Sequence, residues 1–319
     1  MLKPGYDVTI GSEAFRPSMG TVIGIRVSLS MNVPAGWFEI LLGPGDKSRK
    51  LKSGDEVSIQ LGYKDDLHDI FKGLVTDIEP GISEVRVSGC NAASRLLDLR
   101  ANQVYENQTA GEIVSDLAQK AGVQKDEVSA GISFPMYVVD DSKNAYEHLR
   151  ELAERCGFDV YITGGNKLVF KKYKSSEPYA ISYGRNLIET ESFDWKPSFR
   201  GVTVQGEGAA SYAGAEAVHW FAKKQIEGVA GSEPSLLTHD PVVRDTHTAE
   251  KVARAKMEAL SRSVYGFVKI LGTAEVKLGD TIKVEGLKDE RLNGEFQVRA
   301  VDHILNRRDG FITLLGWRA

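Results

Sequence analysis

Apolar and polar residues alternate through residues 51–89. Val57, Ile59 and Leu61 occupy every second position, as do Val85 and Val87, which is the period of a half-buried strand. Gly54-Asp55 places turn chemistry just ahead of the first of these strands. The alternation extends backwards through residues 6–10, 21–30 and 37–42, with Pro34 and Gly36 marking the turn between the last two. Residues 43–50 are polar and glycine-rich, which predicts an exposed tip. Residues 1–105 are therefore expected to form a small antiparallel β-barrel domain.

The pattern recurs near the C-terminus. Gly54, Asp55, Phe71 and Asp77 each have an identical residue 225 positions later, at Gly279, Asp280, Phe296 and Asp302 (280 − 55 = 225). Val57 answers Ile282 and Ile59 answers Val284 at that same offset, while residues 38–43 resemble residues 267–272 at an offset of 229 (267 − 38 = 229). A constant offset through a strand–turn–strand order points to duplication, with Gly54, Asp55, Gly279 and Asp280 as the structural turns of the repeat.

Between the copies the period changes from 2 to 3.6. Thr109 and Glu112 have the spacing of a capping box, and Ile113, Val114, Leu117, Ala118 and Ala121 share a helical face that Gly122 closes. A second helix is predicted from about Ser142, with Tyr146, Leu149, Leu152, Ala153 and Cys156 on its stripe, ending at Gly157. Residues 158–170 read as a hairpin around Gly164-Gly165. Residues 106–178 thus form an α/β insertion, and residues 179–319 the second β-barrel domain. That domain is expected to have strands at 187–194 and 201–205, a long loop at 206–245 and a helix over about 248–262. The mainly β fold (α+β) is two related small antiparallel barrels with an α/β insertion between them.

Composition narrows the function by exclusion. A formal charge of −4 over 319 residues gives no basic footprint for nucleic acid, and no run approaches a membrane span. Two cysteines, Cys90 and Cys156, are too few for a disulfide framework and are expected to be buried thiols. The chain is expected to be made in the cytoplasm. The six histidines include no HExxH; His239 and His247 flank Asp240 and Asp245, but a polar surface loop explains them better than a metal site. Gly206-Glu-Gly208 lacks the context of a dinucleotide fingerprint. No catalytic constellation, cofactor site or metal site is expected. Within the long loop, Trp220 and Phe221, beside Ala217 and Val218, are too apolar for free solvent and are candidate subunit-interface anchors.

Four phrases carry a resemblance to a known family. They are the Leu51-Lys-Ser-Gly-Asp-Glu-Val segment through Gly89-Cys-Asn-Ala-Ala-Ser-Arg-Leu, Tyr105-Glu-Asn-Gln-Thr with Ile113-Val-Ser-Asp-Leu-Ala, Tyr146-Glu-His-Leu-Arg-Glu-Leu-Ala, and Gly294-Glu-Phe-Gln-Val with Asp302-His303. In this order they resemble the phage late-control D family, contractile-tail baseplate hubs similar to the N-terminal hub portion of VgrG. The resemblance implies a structural protein that forms a homotrimer. Three chains with two barrels each would make a pseudo-six-fold ring joining a six-fold tail tube protein to a three-fold spike. VgrG-like chains continue into a spike and this one stops at Ala319, so a separate spike protein is expected, with other baseplate proteins as further partners. A peptidoglycan- or carbohydrate-acting enzyme is the alternative from another class, and it would need two positioned carboxylates that nothing nominates. A monomeric module whose loop at 206–245 captures a ligand is a third, and mass in solution separates it from the hub.

Overall fold

The computed structural model describes residues 3–64, 66–207 and 225–319. The alternating N-terminal stretches form β1 (Pro4–Ile10), β2 (Glu13–Phe15), β3 (Val22–Ser30), β4 (Trp37–Leu42), β5 (Glu56–Tyr63), β6 (Asp66–Pro80) and β7 (Val85–Cys90). The middle of the chain gives α1 (Ala93–Asp98), β8 (Gln103–Thr109), α2 (Ala110–Lys120), β9 (Lys125–Val128), β10 (Ser133–Val139), α3 (Ala145–Cys156), β11 (Asp159–Ile162) and β12 (Leu168–Lys171). There follow β13 (Tyr179–Ser182), β14 (Leu187–Asp194), β15 (Gly201–Gly206), β16 (Glu227–Gly231), β17 (Ser235–Asp240) and α4 (Thr246–Ser261). The chain ends with β18 (Val264–Leu271), β19 (Thr281–Glu285), β20 (Gly294–Asn306) and β21 (Gly310–Arg318). The protein is mainly β, built from two related antiparallel halves with an α/β insertion between them.

Both halves lie in one sheet, ordered β14-β18-β21-β20-β3-β4-β7-β6-β5-β1-β2, with β19 against β20 and β13 against β19. The first half contributes β3-β4-β7-β6-β5 and the second β14-β18-β21-β20-β19, the same pairing order. Their irregularities match as well. The break in register between Val22 and Gly24 on β3 returns between Leu187 and Glu189 on β14, and that between Val75 and Asp77 on β6 between Val298 and Ala300 on β20. Bulges at matching positions are built features of a strand pair.

The ladders correct part of the sequence alignment. Val57 pairs with Gly73 and Ile282 with Phe296, so Phe296 answers Gly73, not Phe71, and Asp77 answers Ala300, not Asp302 (300 − 77 = 223). The segment from Val57 to Gly73 is two residues longer than that from Ile282 to Phe296 (73 − 57 = 16 against 296 − 282 = 14), and the Phe71 ring leans over Gly73 to fill from two positions away the space Phe296 fills directly. Phe38 likewise answers Gly266, not Phe267: Phe38, Ile40 and Leu42 face the core with Val268 and Ile270, and a one-residue slip would turn that whole face outward.

The two halves share one apolar core, in which Ile25, Val27, Phe38, Ile40, Ile59 and Phe71 pack with Val268, Ile270, Ile282, Val298 and Leu315. Each such side chain contributes about 1.5–3 kcal/mol by leaving water. The join is the antiparallel ladder of β20 with β3, from Ala300 opposite Ser30 to Asn306 opposite Gly24.

A second core holds the insertion. The Thr109–Glu112 capping box forms as predicted, and α3 carries another from Asn144 to Glu147. The buried faces of α2 and α3 meet Phe134, Tyr137 and Phe170. This core also takes in Val202, Val204, Val243, Ala249 and Val252, so β15, β16, β17 and α4 pack with the insertion. The predicted loop at 206–245 is corrected here: β16 and β17 flank β15, one antiparallel and one parallel. The small residues of β16 reflect close packing. A Cβ on Gly228 would overlap the α4 backbone at Ala249 and Glu250, so glycine is what lets strand and helix touch. Cys90 and Cys156 are free and half-buried, not buried, with burial pushing the Cys156 thiol up to about 11. Within residues 43–50, Ser48–Lys50 form a short 3-10 turn, and Lys47 just before it donates to the Ala14 carbonyl at 2.7 Å.

Candidate functional site

The repeated turns are alike bond for bond. The Lys52 N–H donates to the Asp55 carboxylate at 2.8 Å and the Lys277 N–H to that of Asp280 at 2.8 Å. Gly54 N–H donates to Val75 O at 2.8 Å, and Gly279 N–H to Val298 O at 2.9 Å. Both glycines stand at positive φ, +91° and +86°, where a side chain is strained. Sequence selects Gly-Asp because the glycine takes the left-handed bend and the aspartate ties the turn shut.

Their surroundings differ. Nothing lies near Gly54, whereas a Cβ on Gly279 would stand 2.6 Å from the Tyr161 hydroxyl. That hydroxyl donates to Leu278 O at 3.2 Å. Asp159 of β11 accepts from Arg299 and from Gln297, each at 2.6 Å, and Tyr173 meets Thr281 at 2.9 Å. At the tip of the β11–β12 hairpin, Gly164 lies close against the Ile70 carbonyl of β6. The insertion therefore braces both halves. Burial beneath it raises the Asp280 carboxyl above its usual range, against the opposing Lys277 N–H.

A cavity of about 460 Å³ lies at this junction, lined among others by Asp69, Asp159, Lys171, Lys277 and Asp280. Three of its acids are already engaged: Asp69 accepts from Gln60 at 2.7 Å and pairs with Lys72 at 3.2 Å, and Asp159 and Asp280 are held as above. Among the described residues no group of three or more His, Cys, Asp or Glu could hold a metal ion. His239 lies on β17 opposite Gln205, and His247 in the first turn of α4. Among the described residues no helix is long and apolar enough to cross a membrane. Trp220 and Phe221 lie outside the described residues.

What sequence reasoning missed is the pair of open strand edges. β14 ends the sheet, paired to β18 on one side and, among the described residues, open on the other but for an isolated bridge between Leu187 and Tyr183. Along β6, pairing with β5 runs up to Leu74, and Asp55 and Gly54 bond Val75; from Asp77 to Pro80 the strand pairs with β7 alone. Exposed large apolar side chains gather on these edges: Ile188, Phe193 and Trp195 along β14 and just beyond it, and Ile82 at the β6–β7 hairpin tip. Phe193 stacks on Tyr265 of β18 at 5.6 Å, both rings exposed. The sequence signal was there in the aromatics at 193 and 195, at strand spacing in an otherwise polar run.

The family described as the Alg8 N-terminal domain matches residues 45–307, a different description from the late-control D family that the quoted phrases resemble. No curated protein matches the sequence. Among solved structures, the chain is similar to a tail protein from Neisseria meningitidis MC58, at TM-score 0.75 and 16% identity, over 99% of this chain and 97% of that one. It is similar to the tail protein of prophage MuSo2 from Shewanella oneidensis at TM-score 0.74 and 15% identity, over 99% and 98%. A third, the E. coli c3393 protein, is described as a component of the type VI secretion system with structural similarity to the T4 bacteriophage tail proteins gp27 and gp5. It matches at TM-score 0.63 and 12% identity, over 97% of this chain and 76% of that one. At these identities the likeness is one of fold.

Proposed function

The chain belongs to the Alg8 N-terminal domain family, and we propose that it is a structural component of a contractile tail or phage-like injection particle, its baseplate hub. Three copies form a ring that is three-fold in truth and six-fold in approximation, and this ring joins a six-fold tail tube to a three-fold spike. Other baseplate proteins surround it. The protein is made and assembled in the cytoplasm and leaves as part of the particle. The observation that carries this reading is the internal repeat, two copies of one five-strand unit side by side in a single sheet. A chain of that kind offers a hexagonal face to one partner and a triangular one to another, which is what a symmetry adaptor must do. The fold shared with tail proteins supports it.

The hub works by shape and load transfer, with no covalent step. Light scattering coupled to size exclusion tests it: a species of three times the 35.0 kDa chain is expected, and a monomer at every concentration refutes the ring. Purified protein is expected to leave peptidoglycan intact. Hydrolysis abolished by a single Asp or Glu substitution would replace the structural reading with an enzymatic one.

A further inference from the structure

The join between the two repeats within one chain also specifies the join between chains. Within the chain, β20 of the second repeat pairs with β3 of the first. In the repeat, β20 corresponds to β6 and β3 to β14: the matching bulges set Val75 on Val298 and Val22 on Leu187. The counterpart of the internal ladder is therefore a ladder of β6 with β14. β14 and the stretch of β6 after Val75 each have an open side, at opposite ends of an arc of eight strands from β14 to β6.

We infer that the free edge of β6 after Val75 pairs antiparallel with the free edge of β14 from a second copy of this chain. The register is Asp77 opposite Trp195, Ile78 opposite Asp194, Glu79 opposite Phe193, Pro80 opposite Ser192 and Gly81 opposite Glu191. The inference rests on the ring reading above and gives that ring its contact.

Backbone polarity agrees with this register. The Met31 N–H donates to Arg299 O, so Val27 and His303, like Leu29 and Val301, form hydrogen-bonded pairs in the internal ladder. Trp195 N–H donates to Ser263 O across β14 and β18, and Gly81 N–H to Glu84 O across β6 and β7. By alternation, Ser192 and Asp194 on one edge, and Ile78 and Pro80 on the other, turn their backbone groups outward. These are the counterparts of Val27, Leu29, Val301 and His303. Pro80 offers no N–H, so the interchain ladder has one hydrogen bond fewer at that step. The β6–β7 hairpin also turns earlier than β20–β21, which makes the ladder shorter and sets the exposed Ile82 at its tip.

Side chains disfavour one of the two neighbouring alignments. With Glu79 opposite Phe193, no two carboxylates stand directly opposite. A two-residue slip that set Asp77 opposite Phe193 would set Glu79 opposite Glu191, a destabilising pair. Such a contact is head-to-tail, so it closes only as a ring or runs on as a filament.

The test is a cysteine pair in the full chain. Glu79 and Phe193 would form a non-hydrogen-bonded pair, with Cα atoms about 4.5 Å apart, inside the range a disulfide spans. Glu79→Cys with Phe193→Cys is expected to give a covalent three-chain species on non-reducing gels after mild oxidation. Glu79→Cys with Glu191→Cys, two residues out of register, is expected to give little, and each single variant controls for Cys90 and Cys156. Assembly is followed in parallel by light scattering on the unoxidised proteins. A ring of normal mass with no cross-link in the first pair, or equal cross-linking in both, overturns the β6–β14 register while leaving the ring standing. A protein that stays monomeric, wild type included, removes the ring reading and the junction together.

Discussion

His303 is the buried group whose protonation should be easiest to read in the stability of the fold. It sits on β20 opposite Val27, where the two repeats join, and is fully buried. Thr313 already donates its hydroxyl to Thr273 O at 3.1 Å and accepts the Thr273 N–H at 3.0 Å. The 3.1 Å bond between His303 Nδ1 and Thr313 Oγ1 is then donated by the imidazole, assigning the neutral Nδ1–H tautomer. Burial lowers the pKa from 6.5 to about 4. A histidine depressed in the folded state binds its proton more readily when unfolded. Its contribution is therefore complete above pH 6.5 and is lost as pH falls toward 4. Between pH 7 and pH 5 the loss is about 2 kcal/mol, from 1.36 kcal/mol per pH unit below 6.5. His303→Gln keeps a donor for Thr313 and cannot titrate. Urea melts at pH 7 and pH 5, at one protein concentration, should show the wild type losing about 2 kcal/mol more than the variant. Equal losses would refute the claim that His303 is held neutral by burial.

Arg155 of α3 grips Asp240 of β17 through its Nε at 2.8 Å and a second nitrogen at 3.3 Å, with both side chains nearly out of solvent. Asp240→Ala leaves the guanidinium only its longer contact with Glu151 at 3.4 Å and should cost about 1–3 kcal/mol, measured as a lower urea midpoint. Gly279→Ala should destabilise more than Gly54→Ala although both turns need positive φ, because only the first meets Tyr161; the extra cost is about 1–3 kcal/mol on matched melts. Gly228→Ala should lower stability by at least about 1–3 kcal/mol by forcing β16 off α4, with a drop in melting temperature as the readout.

The repeat was legible in the sequence because its turns are chemically constrained: Gly-Asp recurs wherever the backbone must bend left and then be tied. The strands beyond the turns were harder. Phe71 and Phe296 align by letter but reach their shared volume from positions two residues apart, and letters carry no record of side-chain reach. Helix α2 announced itself through its capping box and α3 through its apolar stripe and the closing Gly157, while the six-residue α1 is too short to show a period. β16 and β17 hid because Gly228, Ala230 and Gly231 are small for a tertiary reason, contact with α4, and a local reading takes small residues for loop. The open edges left only a local trace, the aromatics at 193 and 195, since which strand lies beside which is decided by the sheet as a whole.

The β11–β12 hairpin, touching Leu278 of one repeat through Tyr161 and Ile70 of the other through Gly164, has a mechanical consequence. Any closed ring must bring its accumulated bend to a full turn, and each loose joint adds its own angular scatter. In the proposed ring, half of the six joints are internal to a chain, covalently tethered and wedged by this hairpin before any two molecules meet. Only the other three joints are left to be found by collision, and three braced arcs have far fewer ways to close wrongly than six free wedges.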